Sequence, residues 1–84
     1  MRRNPNKFIF DMLDSSRFLL ELTKNEDIAR YKNDRVFRGA VERELQIIGE
    51  ACRALPDDFR HQHPNVPWSR IIGMRHILVH HYFD

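Results

Sequence analysis

Residues 34–56 read DRVFRGAVERELQIIGEACRALP, and the spacing within that stretch decides the fold class. Phe37, Ala40, Val41, Leu45, Ile48, Ala51, Cys52 and Leu55 recur at helical intervals. At about 100° of rotation per residue they gather on one broad stripe. Asp34 offers a carboxylate as N-cap, and Pro56 cannot supply the amide that a continuing helix needs. The stretch therefore predicts a helix from Arg35 to Leu55. Gly49 sits inside it and costs about 1 kcal/mol relative to alanine, so its simplest use is the close approach of a second helix.

The flanks extend the pattern. Between Lys7 and Thr23, Ile9, Met12, Leu13, Leu19 and Leu20 recur at helical spacing, with Phe8 and Ser16 filling the stripe. Asn4 or Asn6 can cap this helix, and Pro5 suits its first turn. Lys24 to Asp34 is polar and reads as a loop with one short turn around Ile28 to Tyr31. After Pro56, residues 56–60 form a short helical turn closed by His63-Pro64. Pro67 then opens a last helix from Trp68 to about Phe83. The expected fold is all-α: an antiparallel helical bundle of three main helices and one short one, in a single domain spanning residues 1–84.

Composition agrees with that class. A chain of 84 residues with three glycines and four prolines is too sparsely punctuated for an all-β fold. A chain this short has a thin core, and its lone Cys52 can close no intrachain disulfide. Small domains without such a staple often gain burial by association. No run approaches 18 apolar residues, so no membrane span is expected. Asp11 and Asp14 interrupt the only candidate for a signal peptide, which points to the cytoplasm. Net charge is +2, with arginine supplying eleven of fourteen positive charges; this permits nucleic acid as a partner without requiring it.

The last helix carries two anomalies. Trp68, Ile71, Ile72, Leu78, Val79, Tyr82 and Phe83 share an apolar arc, and Arg75 falls near its middle. An arginine there is either paired with a carboxylate or turned to an interface. Glu44, on the stripe of the preceding long helix, and Glu50 are both available as partners. Histidines are the second anomaly: His76, His80 and His81 crowd into six residues, beside His61 and His63. His76 and His80 have the i, i+4 spacing of metal ligands, but the helix lacks the glutamate of H-E-x-x-H and shows no third ligand. Ordinary surface residence accounts for most of the five. Arg75, His80 and Tyr82 together are more specific: a base or acid near neutral pH, a phosphate fork, and a hydroxyl or stacking ring.

Arg75-His76-Ile77-Leu78-Val79-His80-His81-Tyr82 resembles the R-x4-H-x-Y signature of the HEPN superfamily. The segment Ala40 to Ala51, with Leu55-Pro56, His63-Pro64, Pro67-Trp68 and Gly73-Met74-Arg75 in order, is similar to the HepT-like branch. The resemblance is dense from Ala40 to Phe83 and looser from Phe8 to Leu20. It implies a dimer whose two motifs face one cleft. It also implies a ribonuclease toxin of a prokaryotic type VII-like toxin–antitoxin pair. Arg75 and His80 would be the catalytic pair, metal-independent and without a cofactor. Tyr82, His76 and His81 would meet substrate phosphate. The implied antitoxin is a nucleotidyltransferase (MNT-domain) protein, which would use ATP to place AMP on Tyr82. The alternative is a non-catalytic helical docking partner of that nucleotidyltransferase.

Three departures stand beside the resemblance. His76 replaces a common asparagine, and His81 replaces a frequently acidic residue. The chain also stops at Asp84, where members usually continue for another helix, so a C-terminal element is expected to be missing. On an ideal helix His80 lies about 140° from Arg75. Either the helix distorts near Val79-His80, or the site is assembled across a two-fold axis; the second option is favoured because it also explains an arginine on an apolar arc.

Overall fold

In the computed structural model, which describes residues 4–74, the chain begins with a capped helix. Asn4 Oδ1 accepts the N–H of Asn6 at 3.0 Å, and Pro5 occupies the first turn of α1, Pro5–Thr23. Of the two asparagines that could cap it, Asn4 does so. After a turn in which Asn25 takes a positive φ of 61°, Asp27 accepts the N–H of Arg30 at 3.1 Å and starts α2, Ile28–Asn33. Asp34 accepts the N–H of Phe37 at 3.1 Å and caps α3, Arg35–Ala54. That bond is the main cause holding the Asp34 carboxyl below its ordinary range. Pro56 then precedes α4, Asp57–His61. Residues 68–74 are helical, and the Pro67 carbonyl accepts the N–H of Ile71 at 3.1 Å. No strand occurs among the described residues.

α1 packs mainly against α3, and α2 closes one end of the pair. The contacts run in opposite senses. Met12, in the first half of α1, meets Cys52 near the end of α3, with the two sulfurs 3.8 Å apart. Leu19 and Leu22, near the end of α1, pack on the cluster of Tyr31, Phe37, Val41 and Leu45. α1 and α3 are therefore antiparallel, and the all-α bundle expected from the sequence is present.

Phe37, Val41, Leu45, Ala51, Cys52 and Leu55 are all buried, so the stripe read from α3 is the main wall of the core. Cys52 is completely enclosed, and burial pushes its thiol pKa up. Two features differ from the sequence reading. The polar stretch before Asp34 holds a six-residue helix where a single turn was expected, because Asp27 caps it and Tyr31 is buried beneath it. In α1, Leu13 and Leu20 are 47% and 72% exposed, whereas the serine buried among the apolar residues is Ser15 rather than Ser16. The apolar residues of α1 encircle most of the helix, but α3 covers only one side of it. Phe10, Leu13 and Leu20 consequently form an exposed apolar stripe.

Candidate active site

The helix that leads into the motif starts from a tightly specified loop. The single tryptophan of the chain, Trp68, donates its indole N–H to the carbonyls of His63 at 3.0 Å and Arg60 at 3.2 Å. Its own backbone N–H donates to Val66 at 2.8 Å. These bonds tie the first turn of helix 68–74 to the end of α4. Pro64 and Pro67 fix their own φ angles and stiffen the connection. The Phe59 and His63 rings lie 4.7 Å apart, tilted by 42°.

The other anchor is Gly49. A Cβ placed there would lie 3.5 Å from the Ile72 carbonyl oxygen and 3.8 Å from its Cα. The backbone of helix 68–74 therefore runs directly over α3 at the one residue of that turn without a side chain. The close helix approach expected from Gly49 is present, and it fixes the track of the helix up to Met74.

Arg75, His76, His80, His81 and Tyr82 lie outside the described residues. The partner of Arg75 lies outside them too. Of its two candidates, Glu44 is half-buried, while Glu50 is exposed and accepts a hydrogen bond from Gln46 at 3.1 Å. His61 and His63 are exposed, as expected for surface histidines. Among the described residues no three His, Cys, Asp or Glu side chains cluster as metal ligands would, and no helix is long and apolar enough to cross a membrane.

One feature absent from the sequence reading lies beside this helix. A hollow of about 510 Å³ opens between α4 and the first turn of helix 68–74, with Asp57, Arg60, His61, Pro64, Trp68 and Ser69 among its walls. Asp57 forms an ion pair with Arg60 one helical turn away. The only sequence signal for this hollow was the clustering of Asp57, Arg60 and His61 in a turn shortly before the tryptophan.

A family model described as ribonuclease HepT-like matches residues 12–84, a span that includes Arg75, His80 and Tyr82. Among curated proteins, one from Methanocaldococcus jannaschii named "Putative RNase MJ1380" is 44% identical over 82 residues, covering 98% of this chain and 75% of that protein. "Putative RNase TTE0752" of Caldanaerobacter subterraneus is 40% identical over 81 residues, covering 96% of this chain and 72% of that protein. "Probable ribonuclease HepT" of Thermococcus cleftensis is 34% identical over 83 residues, covering 99% of this chain and 76% of that protein. No solved structure matches the chain.

Proposed function

The chain belongs to the ribonuclease HepT-like family, and from that membership we propose that it is a toxin endoribonuclease cutting RNA without a metal ion. The observation that carries the reading is Arg75, His80 and Tyr82 at R-x4-H-x-Y spacing within the span matched by the family. The helix that leads into the motif is held against α3 at Gly49.

The chemistry follows from the residue types. The RNA 2′-oxygen attacks the adjacent phosphorus, and the bond from phosphorus to the 5′-oxygen breaks. The products are a 2′,3′-cyclic phosphate and a 5′-hydroxyl. The proton leaving the 2′-hydroxyl is taken up by a histidine, and the 5′-oxygen gains one. An imidazole such as that of His80 can both accept and give up a proton near neutral pH, the property either transfer needs. Arg75 offers a planar fork of donors to the two non-bridging oxygens and stabilises charge that develops on them. His76 and His81 add positive charge beside the phosphate when protonated.

The working unit in this reading is a homodimer with both motifs at one cleft. Its support is the separation of about 140° that an ideal helix would put between positions 75 and 80, which a two-fold axis accommodates, together with the exposed Phe10, Leu13 and Leu20 stripe on a small domain. A nucleotidyltransferase antitoxin completes the proposed pair. It would transfer AMP from ATP to the Tyr82 hydroxyl, forming an oxygen–phosphorus bond and releasing pyrophosphate. A bulky anion on Tyr82 would then exclude RNA phosphate by sterics and like charge.

The test is cleavage of a single-stranded RNA by the purified chain in EDTA. Wild type is expected to cut and to leave cyclic phosphate ends. His80→Ala and Arg75→Ala should each lower the rate by about 100-fold or more. Loss of wild-type cleavage on chelation would sink the metal-free mechanism. Binding to a nucleotidyltransferase without any cleavage would favour the docking-partner alternative.

A further inference from the structure

We propose that the hollow between α4 and the first turn of helix 68–74 binds one unpaired nucleotide of the RNA substrate, with Trp68 and Arg60 as its principal contacts. The inference rests on the ribonuclease reading and adds to it a binding site separate from Arg75 and His80.

Size and chemistry both point to a nucleotide. A volume of about 510 Å³ lies within the range of small-molecule sites. The walls combine flat apolar surface with a few polar groups. Trp68 is half-buried, so part of its indole faces out, and Pro64 and Pro67 stand beside it. Unpaired RNA bases are recognised by stacking on such surfaces and by hydrogen bonds to their edges. The polar groups fit the rest of a nucleotide. Arg60 is held by Asp57, yet a guanidinium has five N–H donors, and one carboxylate leaves others for a phosphate or a base edge. Asp57 is itself exposed along its side chain and can accept from an exocyclic amine. His61 and Ser69 extend the donor set around the mouth.

Preorganisation is the second argument. The Trp68 indole N–H is already bonded to two backbone carbonyls, so the ring cannot swing away. A base arriving on the part of the side chain that lines the hollow therefore meets a surface that needs little further ordering. Position is the third argument. The hollow is walled by the first turn of a helix whose described part, residues 68–74, is about 10 Å long at 1.5 Å per residue and ends next to Arg75 in sequence. A strand bound at the motif has a short path to it, and a nucleotide held here would set which bond of the strand lies at the scissile position.

Trp68 is the only tryptophan, so its emission reports on the hollow without an added label. The experiment uses the full chain carrying His80→Ala, titrated with a single-stranded RNA hexanucleotide of mixed sequence, unlabelled for the emission readout and dye-labelled for anisotropy. Anisotropy reports binding and Trp68 emission reports stacking. The expected result is quenching that saturates along the same curve as anisotropy. Adding Arg60→Gln should weaken binding about tenfold. Adding His61→Ala, an exposed change that leaves the loop bonds intact, should weaken it measurably. In otherwise wild-type protein, Arg60→Gln should also shift the preferred cut positions. Binding with unchanged Trp68 emission, and with affinity indifferent to both substitutions, would overturn the nucleotide site while leaving the ribonuclease reading intact. Absence of RNA binding together with absence of wild-type cleavage would remove both.

Discussion

Tyr31 shows how one hydroxyl couples the core to its surface. Its ring is buried, and its hydroxyl donates to Glu42 at 2.9 Å. Burial first, then the bond to Glu42 and its charge, push the Tyr31 pKa up to about 12. An acid whose pKa is raised on folding favours the folded state while it stays neutral. Its contribution is complete below the unfolded value near pH 10 and is lost as pH rises from there to about 12. Wild-type stability, followed by urea melts between pH 9 and 12, should fall over that window. Tyr31→Phe should lower stability near neutral pH by about 1 kcal/mol and flatten the alkaline decline. A decline of the same depth in the variant would show that another group is responsible.

At the scale of elements, the two glycines of α3 separate helix propensity from packing. A Cβ at Gly39 would meet nothing within 4 Å, so Gly39→Ala should stabilise the protein by up to about 1 kcal/mol with cleavage unchanged. A Cβ at Gly49 would make ordinary contact with the Ile72 backbone, so Gly49→Ala should also be tolerated. Gly49→Leu has no room and must push helix 68–74 off its track. It is expected to destabilise by about 1–3 kcal/mol and to cut the cleavage rate more than a surface change of equal stability cost. Thermal melts alongside RNA cleavage distinguish the three variants.

These elements also show how far the sequence could be read. α3 was legible end to end because its cap, its stripe and Pro56 agree. The start of helix 68–74 was legible from Pro67 and Trp68. α2 was not, because the six residues Ile28–Asn33 are too few to show a period, and the burial of Tyr31 that stabilises them is a tertiary contact. The exposure of Leu13 and Leu20 is not legible in their spacing, because a helix apolar around most of its girth does not reveal which side a partner will take. Arg75, His80 and Tyr82 stand out in the sequence by residue type and spacing, and they lie outside the described residues. The hollow at Asp57, Arg60 and Trp68 was not, since it depends on a turn that folds α4 back against the following helix.

At the scale of the whole molecule, the proposed dimer makes a prediction that a monomeric site does not. If Arg75 of one copy works with His80 of the other, then mixing Arg75→Ala with His80→Ala protein after subunit exchange restores one complete site in each heterodimer. Random exchange makes half the dimers mixed, each with one of two sites intact, so about a quarter of wild-type cleavage should return. Each variant alone should remain inactive. No recovery after verified exchange would place both residues of a site on one copy. Light scattering across a dilution series supplies the companion measurement, with Leu13→Lys and Leu20→Lys showing whether the apolar stripe of α1 contributes to association.

The complete enclosure of Cys52 against Met12 has a practical consequence. The only thiol of the chain is sealed in the seam between α1 and α3, so a thiol reagent reaches it only in molecules whose seam has parted. When reclosing outruns labelling, the labelling rate measures how often that parting occurs. Each molecule thus carries a built-in gauge of its own breathing. Adding RNA, or a partner protein, should slow the gauge in proportion to how firmly the ligand holds the two helices together.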